Sequence, residues 1–328
     1  RRAHASRTKP PMRILRHYRD PPPEAKGAVV ALGNFDGVHR GHQALIAEAS
    51  HIAKQTERPL AAMVFEPYPR EFFRPGGEPF RLTPFRAKAR LLAERGVEFL
   101  IVLGFDAEMA GRLAPDFVID VLVRELQASH IVVGEDFRFG KGRGGDVTVL
   151  GYMGEMEGFG VTVFSAVAEG GEKISSSKVR AALKAGRPEE AARLLGHWWS
   201  IEAHVASGDR RGRTLGFPTA NLKLEHTLQP AFGIYAVRAR THDGKTHDGV
   251  ASFGLRPMFQ LPAPLMEVHL FDFSGDIYGE VLAVELIAYL RGEQTFADVE
   301  ALKAQMAVDC EAVRRILAVT PPVPAVGN

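Results

Sequence analysis

Two histidines follow a glycine-rich turn near the start of the chain. The segment Gly33–His42 reads GNFDGVHRGH, so His39 and His42 are three residues apart with Gly41 between them. Glycines let a backbone approach phosphate groups, and a helix that begins here offers unpaired N–H groups and the positive end of its dipole. Two imidazoles could then donate to phosphate oxygens as negative charge builds. The segment therefore predicts a nucleotide site.

Two other interpretations of the histidine pair stay open. The rings could bind a metal ion, although no third Cys or carboxylate ligand stands at a suggestive spacing. They could also be ordinary turn residues. The position between an apolar stretch and a helical pattern favours the nucleotide site over both.

A second polar cluster precedes another helical pattern. The segment Ile174–Arg180 reads ISSSKVR. Three hydroxyls and two cations at a helix N-terminus suit the outer phosphates of a nucleoside triphosphate. Serines are equally common as N-cap residues, so this segment alone does not decide between the two roles.

The second half carries a further glycine-rich segment, Gly208–Leu222, which reads GDRRGRTLGFPTANL. Thr219 and Asn221 alternate on an extended stretch, so both oxygens can point to one side. Hydroxyl and amide oxygens are hard ligands that suit Mg²⁺ shared with ATP phosphates. The segment is not a Walker A loop, because GxxxxGK[ST] is absent.

A glutamate on a predicted strand is the candidate base of the second half. In the stretch Met266–Leu270, which reads MEVHL, Val268 and Leu270 share one face while Glu267 and His269 share the other. A carboxylate that faces a phosphate site could accept a proton from a substrate hydroxyl. The alternative is an exposed strand glutamate.

The elements that must position these groups differ between the two halves. From residue 28 to about residue 164, apolar runs alternate with helical patterns, which predicts an open, doubly wound parallel sheet. Ligands of such sheets bind beyond the carboxyl ends of the strands. The predicted strands are Val29–Leu32, Leu60–Phe65, Phe99–Leu103 and His130–Val133. The predicted helices include Pro84–Arg95 and Pro115–Gln127.

The second half predicts a small antiparallel barrel or sandwich that ends in an amphipathic helix. Consecutive strands are separated by Gly, Asp and Pro turns, with no helices between them. The predicted strands are Ser200–Ala206, Gly233–Arg240, Gly249–Phe253, Met266–Phe273 and Val281–Tyr289. The apolar stripe of the helix is Val299, Leu302, Met306, Cys310, Val313 and Leu317, which makes Cys310 a core residue rather than a nucleophile.

Length and composition set the remaining bounds. The 328 residues favour two domains, and a net charge of +2 gives no basic field typical of nucleic-acid binding. A single cysteine excludes an internal disulfide, and no signal sequence or membrane span is evident, so we expect a cytoplasmic protein. We expect a disordered tail at 1–13, domains at 14–187 and 197–320, a linker helix at 188–196 and a loose terminus at 321–328.

These motifs resemble the HxGH nucleotidylyltransferase superfamily. Gly33–His42 is most similar to the FMN adenylyltransferase module of bifunctional riboflavin kinase/FAD synthetases. Gly134–Gly140 (GEDFRFG) and Phe65–Phe73 (FEPYPREFF) match two further segments of that module. In the second half, Gly208–Leu222 and the segments GIYA, GLRP and DIYG follow the order of the riboflavin kinase module.

For the first half, the resemblance implies that the FMN phosphate attacks the α-phosphorus of ATP, without a covalent enzyme intermediate. His39, His42 and Arg180 would be catalytic. The residues implied to bind ATP are Gly33, Asn34, Phe35, Asp36, Gly41, Ser176, Ser177 and Lys178. Asp136, Phe137 and Phe139 would contact the flavin.

For the second half, the resemblance implies a β-barrel kinase in which Glu267 activates the riboflavin hydroxyl. Thr219 and Asn221 would be the ligands of Mg²⁺ bound with ATP as co-substrate. The residues implied to bind ATP here are Gly208, Gly212, Arg213 and Gly216. The implied partners are riboflavin, FMN, FAD and ATP, with no nucleic acid, membrane or protein partner.

The chain departs from the family pattern at a few positions. Tyr68 stands where a histidine is common, which leaves one polar contact near the first site undefined. Ser252 replaces a frequent Asn and Met258 replaces a Thr, and both positions lie in the kinase half.

Two competing hypotheses for the function remain. One is an adenylyltransferase for another phosphate acceptor, and the other is a nucleic-acid or flavin-binding protein without chemistry.

Overall fold

The computed structural model describes residues 11–169, 171–206, 219–224, 226–255 and 264–323. These residues form two compact units. The first takes the described residues up to Gly77 together with Lys88–Ile174. The second takes Glu78–Ala87 and the described residues from Ser175 onward.

The first unit is built on a six-stranded parallel sheet with the order β1-β4-β3-β2-β5-β8. Its strands are β1 Arg13–Leu15, β2 Val29–Leu32, β3 Leu60–Glu66, β4 Phe99–Gly104, β5 His130–Gly134 and β8 Gly160–Phe164. Two short antiparallel pairs accompany the sheet: β6 Arg138–Phe139 with β7 Gly145–Asp146, and β9 Ala168–Glu169 with β10 Glu172–Lys173. The predicted doubly wound parallel sheet is confirmed.

The four predicted strands of this sheet are its central ones. All four residues of β2 are buried, as expected for a strand covered on both faces. The edge strands β1 and β8 are largely exposed or half-buried and therefore lack the continuous apolar run that marks a central strand.

Helices cover the sheet. The α-helices up to residue 157 are α1 Arg40–Gln55, α2 Pro69–Phe73, α3 Phe85–Glu94, α4 Ala107–Gly111, α5 Ala114–Asp116 and α6 Val147–Glu157. The predicted helix at Pro115–Gln127 is present, but after α5 it continues as a π-helix over Phe117–Glu125. Its buried side chains join a core that also contains residues of β2 to β5.

The second unit begins with helices α7 Ser176–Lys184 and α8 Pro188–Leu195 and continues into a closed barrel. The barrel order is β11-β12-β15-β14-β13-β16, with every pairing antiparallel. The strands are β11 Ser200–Ala206, β12 Ala220–Lys223, β13 Gly233–Arg240, β14 Thr246–Leu255, β15 Pro264–Leu270 and β16 Val281–Arg291. Helix α9, Val299–Val319, follows the barrel.

The predicted stripe of α9 divides between core and cavity. Val313 and Leu317 are buried in the core cluster, as predicted. Val299 is 53% exposed, so the stripe does not reach the first turn of the helix. Cys310 packs partly against that cluster and also lines a cavity, and burial raises the pKa of its thiol, which makes it a poor nucleophile.

Within the described ranges, no helix combines the length and apolarity needed to cross a bilayer.

Candidate active sites

The loop between β2 and α1 has a constrained backbone. Phe35 and Val38 adopt positive φ angles of 50° and 42°, and both side chains are buried. Left-handed backbone is unfavourable for any side chain and most so for a β-branched residue. The surrounding core fixes this conformation, and strain of this kind is concentrated at functional sites.

His39 caps helix α1 with its side chain. Its Nδ1 atom accepts a hydrogen bond from the backbone N–H of His42 at 3.3 Å. In the neutral ring Nδ1 is therefore the acceptor and Nε2 carries the proton. Gly41 leaves room for this ring, because a Cβ at that position would lie 3.2 Å from two atoms of the His39 imidazole.

His42 stacks on His39, with ring centroids 3.6 Å apart and an interplanar angle of 18°. Among the described residues, Nδ1 of His42 is buried and has no hydrogen-bond partner. Burial lowers the pKa of His42 well below its usual range, and the charges of His39 and Lys88 lower it further. His42 is therefore neutral at physiological pH.

Two further residues lie at this site: Tyr68, for which the sequence left the contact undefined, and Lys88, which the sequence did not mark. Tyr68 is 2% exposed, and its hydroxyl donates to Oδ1 of Asp36 at 3.2 Å. Lys88 is fully buried, and its Nζ lies 4.2 Å from the centroid of the Tyr68 ring. The unusual Pro-Tyr-Pro sequence marked Tyr68, whereas nothing in the helical pattern around Lys88 distinguished it from a surface lysine.

The segment predicted to contact flavin is partly core. Phe139 is buried, and its ring stacks on that of Phe137 at 5.5 Å. Asp136 is exposed and pairs with Lys173 at 3.0 Å. Phe137 and Asp136 are thus the accessible members of the predicted trio.

Helix α7 carries the serine cluster. Ser175 is its N-cap, since Oγ accepts from the backbone N–H of Lys178 at 3.4 Å. Ser176 and Ser177 form the first turn. Arg180 donates from Nε to the carbonyl oxygen of Phe80 at 2.8 Å. The two predicted roles therefore belong to different serines. Ser175 caps the helix, and Ser176 and Ser177 remain candidates for phosphate binding.

A row of polar side chains crosses three strands of the barrel. Asn221 on β12 lies opposite Glu267 on β15, and Glu267 lies opposite Ser252 on β14. The residues flanking Glu267, Met266 and Val268, are buried in the barrel. Alternation places the polar row on the outer face of the wall.

Two cavities meet at Thr219. One, of about 420 Å³, is lined by Thr219, Ser252, Glu267 and His269 and by residues of α9. The other, of about 460 Å³, is lined by Thr219, Asn221 and the segment Phe273–Tyr278. The predicted base and predicted metal ligands thus face two adjoining cavities. Gly208, Gly212, Arg213, Gly216 and Met258 lie outside the described residues.

An ion pair between the end of β16 and α9 forms part of the lining of the first cavity. Arg291, at the end of β16, donates from Nη2 to Oδ2 of Asp309 on α9 at 2.6 Å and from Nε to both carboxylate oxygens. Gln305 donates to Oδ1 of Asp309 at 2.9 Å. Asp309 is 4% exposed, so this network fixes α9 to the barrel.

The donor set at Thr219 and Asn221 fits a hard cation that is held mainly by phosphates. It offers a hydroxyl and an amide oxygen, with the Glu267 carboxylate opposite Asn221. In the described part of the chain, no group of three or more His, Cys, Asp or Glu side chains could hold a metal ion. The histidine pair of the first unit accordingly lacks the further ligands that a zinc site needs.

Fold and site geometry together define the class: a transferase with a nucleotidylyltransferase-type parallel sheet and a separate kinase-type antiparallel barrel. The family model described as FAD synthetase matches residues 22–178, and the model described as riboflavin kinase matches residues 195–317.

Full-length relatives agree with both matches. The bifunctional riboflavin kinase/FMN adenylyltransferase of Escherichia coli (strain K12) is 42% identical over 90% of this chain and 95% of its own. That of Pseudomonas fluorescens is 40% identical over 94% of this chain and 98% of its own. The chain belongs to the bifunctional riboflavin kinase/FMN adenylyltransferase family.

A solved structure shares the whole architecture. The crystal structure of a macrolide-efflux protein from Streptococcus pneumoniae has a TM-score of 0.82 and 31% sequence identity, and the match covers 92% of this chain and 98% of that one. The likeness supports the fold of both units.

Proposed function

We propose that this chain phosphorylates riboflavin with ATP to give FMN and then adenylylates FMN with a second ATP to give FAD and pyrophosphate. The observation that carries the proposal is the presence, on one chain, of the histidine-capped Gly33–His42 loop and the Asn221–Glu267 pair, each in the fold matched by its own family model. The kinase product is the adenylyltransferase substrate.

In the adenylyl transfer, the loop and both histidines act on the α-phosphate of ATP. Backbone N–H groups at the start of α1 and the Nε2–H of His39 donate to its oxygens, and a neutral His42 adds a second imidazole donor. The FMN phosphate attacks in line and pyrophosphate leaves. Catalysis is then positioning and charge stabilisation, and no residue forms a covalent bond to substrate.

Further residues hold the ends of the two substrates. The FAD synthetase model matches residues 22–178, which supports a role for Ser176, Ser177 and Lys178 on the leaving phosphates. Arg180, one turn after Ser176 on α7, would share this role. The loop that would bind the nucleotide contains Asn34, Phe35 and Asp36. The exposed Asp136 and the half-buried Phe137 are the candidates for flavin contact.

In the kinase reaction, the two adjoining cavities separate acceptor from donor. Thr219 and Asn221 would hold Mg²⁺ with ATP, and the ion would neutralise charge on the transferred phosphoryl group. Glu267, in the cavity covered by α9, accepts the proton of the riboflavin 5′-hydroxyl as its oxygen attacks the γ-phosphorus. The apolar residues of α9 in this cavity suit the flavin ring. Both reactions consume ATP, which supports a cytoplasmic location.

A product assay tests this function. The purified chain is incubated with riboflavin, ATP and Mg²⁺, and flavins are separated by chromatography over time. We expect FMN to appear first and FAD to follow. Absence of both products from a folded preparation would refute the proposal.

A further inference from the structure

Lys88 is a cation with no exposed surface. Its side chain on α3 is 0% exposed, although lysine is almost never fully buried unless its charge is compensated. Removing an ammonium group from water is unfavourable, and buried charges of this kind are concentrated at functional sites.

The contacts of Lys88 lead to the nucleotide loop. Its Nζ lies over the buried Tyr68 ring, 4.2 Å from the centroid, in a cation–π geometry. The hydroxyl of the same ring donates to Asp36 Oδ1 at 3.2 Å, and Asp36 itself is only 5% exposed. A buried ammonium, an aromatic ring and a carboxylate therefore form one connected series that ends inside the Gly33–His42 loop.

We propose that Lys88 is a positioning residue of the adenylyltransferase site, which acts on the Gly33–His42 loop through Tyr68 and on His42 through its charge. Lys88 touches neither substrate. This assignment rests on the proposed adenylyl transfer and extends it to two residues outside the loop.

The charge of Lys88 has a second consequence. Around His42, the stacked His39 ring and Lys88 both oppose a positive charge on the imidazole, in addition to the larger effect of burial. Asp36, an acidic group of this cluster, accepts a hydrogen bond from the Tyr68 hydroxyl. Lys88 thus adds to the larger effect of burial in keeping His42 neutral, and it places a fixed positive charge near the site where negative charge develops, without reorganisation during the reaction.

The test replaces Lys88 by Met, which removes the charge and keeps the length of the side chain. FAD formation from supplied FMN should fall by about 10-fold or more in kcat, with little change in the KM for ATP. The His42 ring resonance should titrate at a higher pH, because a nearby positive charge is gone. FMN formation from riboflavin in the same preparation should be unchanged.

Leu92→Ala is the matched control, since Leu92 is buried one turn further along α3 and is uncharged. It should lower the thermal stability but leave the His42 titration where it is. A folded Lys88→Met chain with a wild-type FAD rate and an unmoved His42 titration would overturn the proposal. An equal movement of that titration in Leu92→Ala would also overturn it, because packing alone would then explain the effect.

Tyr68→Phe tests the proposed link to the Gly33–His42 loop if Lys88→Met does not fold. It keeps the ring under Lys88 and removes the hydrogen bond to Asp36. We expect a several-fold slower FAD formation with normal FMN formation, whereas a wild-type rate would overturn the proposed link. If the whole chain makes no FAD at all, the proposed function itself fails, which separates the two hypotheses.

Discussion

Asn221 lies directly opposite Glu267 in the antiparallel pair of β12 and β15. Directly opposed residues have Cβ atoms about 5 Å apart, so the two side chains are neighbours on the barrel wall, with Glu267 lining one cavity and Asn221 lining the adjoining one. Thr219, two residues before Asn221, lines both adjoining cavities. This pairing brings a candidate ligand of the ATP-bound cation next to the candidate base that deprotonates the acceptor.

Glu267→Gln should remove the base and keep the shape of the cavity. We expect FMN formation to fall by about 10²–10⁴-fold, the usual contribution of general base catalysis. FAD formation from supplied FMN should be unaffected. Glu311→Gln, at an exposed carboxylate of α9, is the control and should have normal kinase activity. Wild-type kinase activity in Glu267→Gln would show that another group accepts the proton.

His39→Asn should separate the structural role of His39 from its chemical role. Asparagine is among the best N-cap residues, so the cap on α1 and the fold should be kept. The Nε2–H donor is lost, and removal of one such donor typically lowers kcat by about 10²–10³-fold. Steady-state FAD formation measures this loss, with His51→Asn, at an exposed position of the same helix, as control. A stable His39→Asn chain with full activity would remove His39 from the mechanism.

Asp309→Ala should destabilise the kinase barrel. It leaves the half-buried Arg291 guanidinium without its carboxylate, which costs up to about 3 kcal/mol. Asp272→Asn breaks an exposed pair with Arg314 of α9 and suits the positive φ of 55° at this position, so it should change the stability far less. Urea midpoints for the loss of FMN-forming activity compare the two variants. Equal midpoints would contradict the role given to the Arg291–Asp309 pair.

The stability of the first unit should fall in mild acid. Because the folded pKa of His42 lies below its ordinary 6.5, the unfolded chain binds the proton more readily. The stability is complete above pH 6.5 and decreases as the pH falls below it, by up to about 1.4 kcal/mol per pH unit. Hydrogen exchange of β2 amides at pH 7 and 5.5 measures the decrease.

His42→Gln is the control for this pH effect and should flatten the dependence. A shallower remainder is expected from His130, whose pKa burial also lowers. If wild type and His42→Gln had the same dependence, His42 would not be the group responsible.

The central fold was predictable where burial is reflected in a continuous pattern. β2 to β5 are uninterrupted apolar runs, and the barrel strands are marked by turns between alternating residues. The edge strands β1 and β8 were missed because half-exposed strands lack that pattern. The π-helical continuation after α5 depends on how the segment packs, which its apolar spacing does not specify.

The candidate sites were predictable where motif and chemistry coincide. His39, His42, Thr219, Asn221 and Glu267 stood out by residue type and spacing. The cap formed by His39 did not, because it depends on which ring nitrogen meets a backbone N–H. Lys88 was not predicted for a different reason. A lysine in an amphipathic helix is ordinarily expected on the solvent-exposed face, and only tertiary packing buries this one.

The most direct test of two independent reactions compares Asn221→Ala with His42→Ala, each supplied with riboflavin or with FMN in the presence of ATP and Mg²⁺. We predict that Asn221→Ala makes no FMN from riboflavin but makes FAD from supplied FMN. We predict that His42→Ala converts riboflavin to FMN and stops there. Loss of both activities in either folded variant would contradict the account.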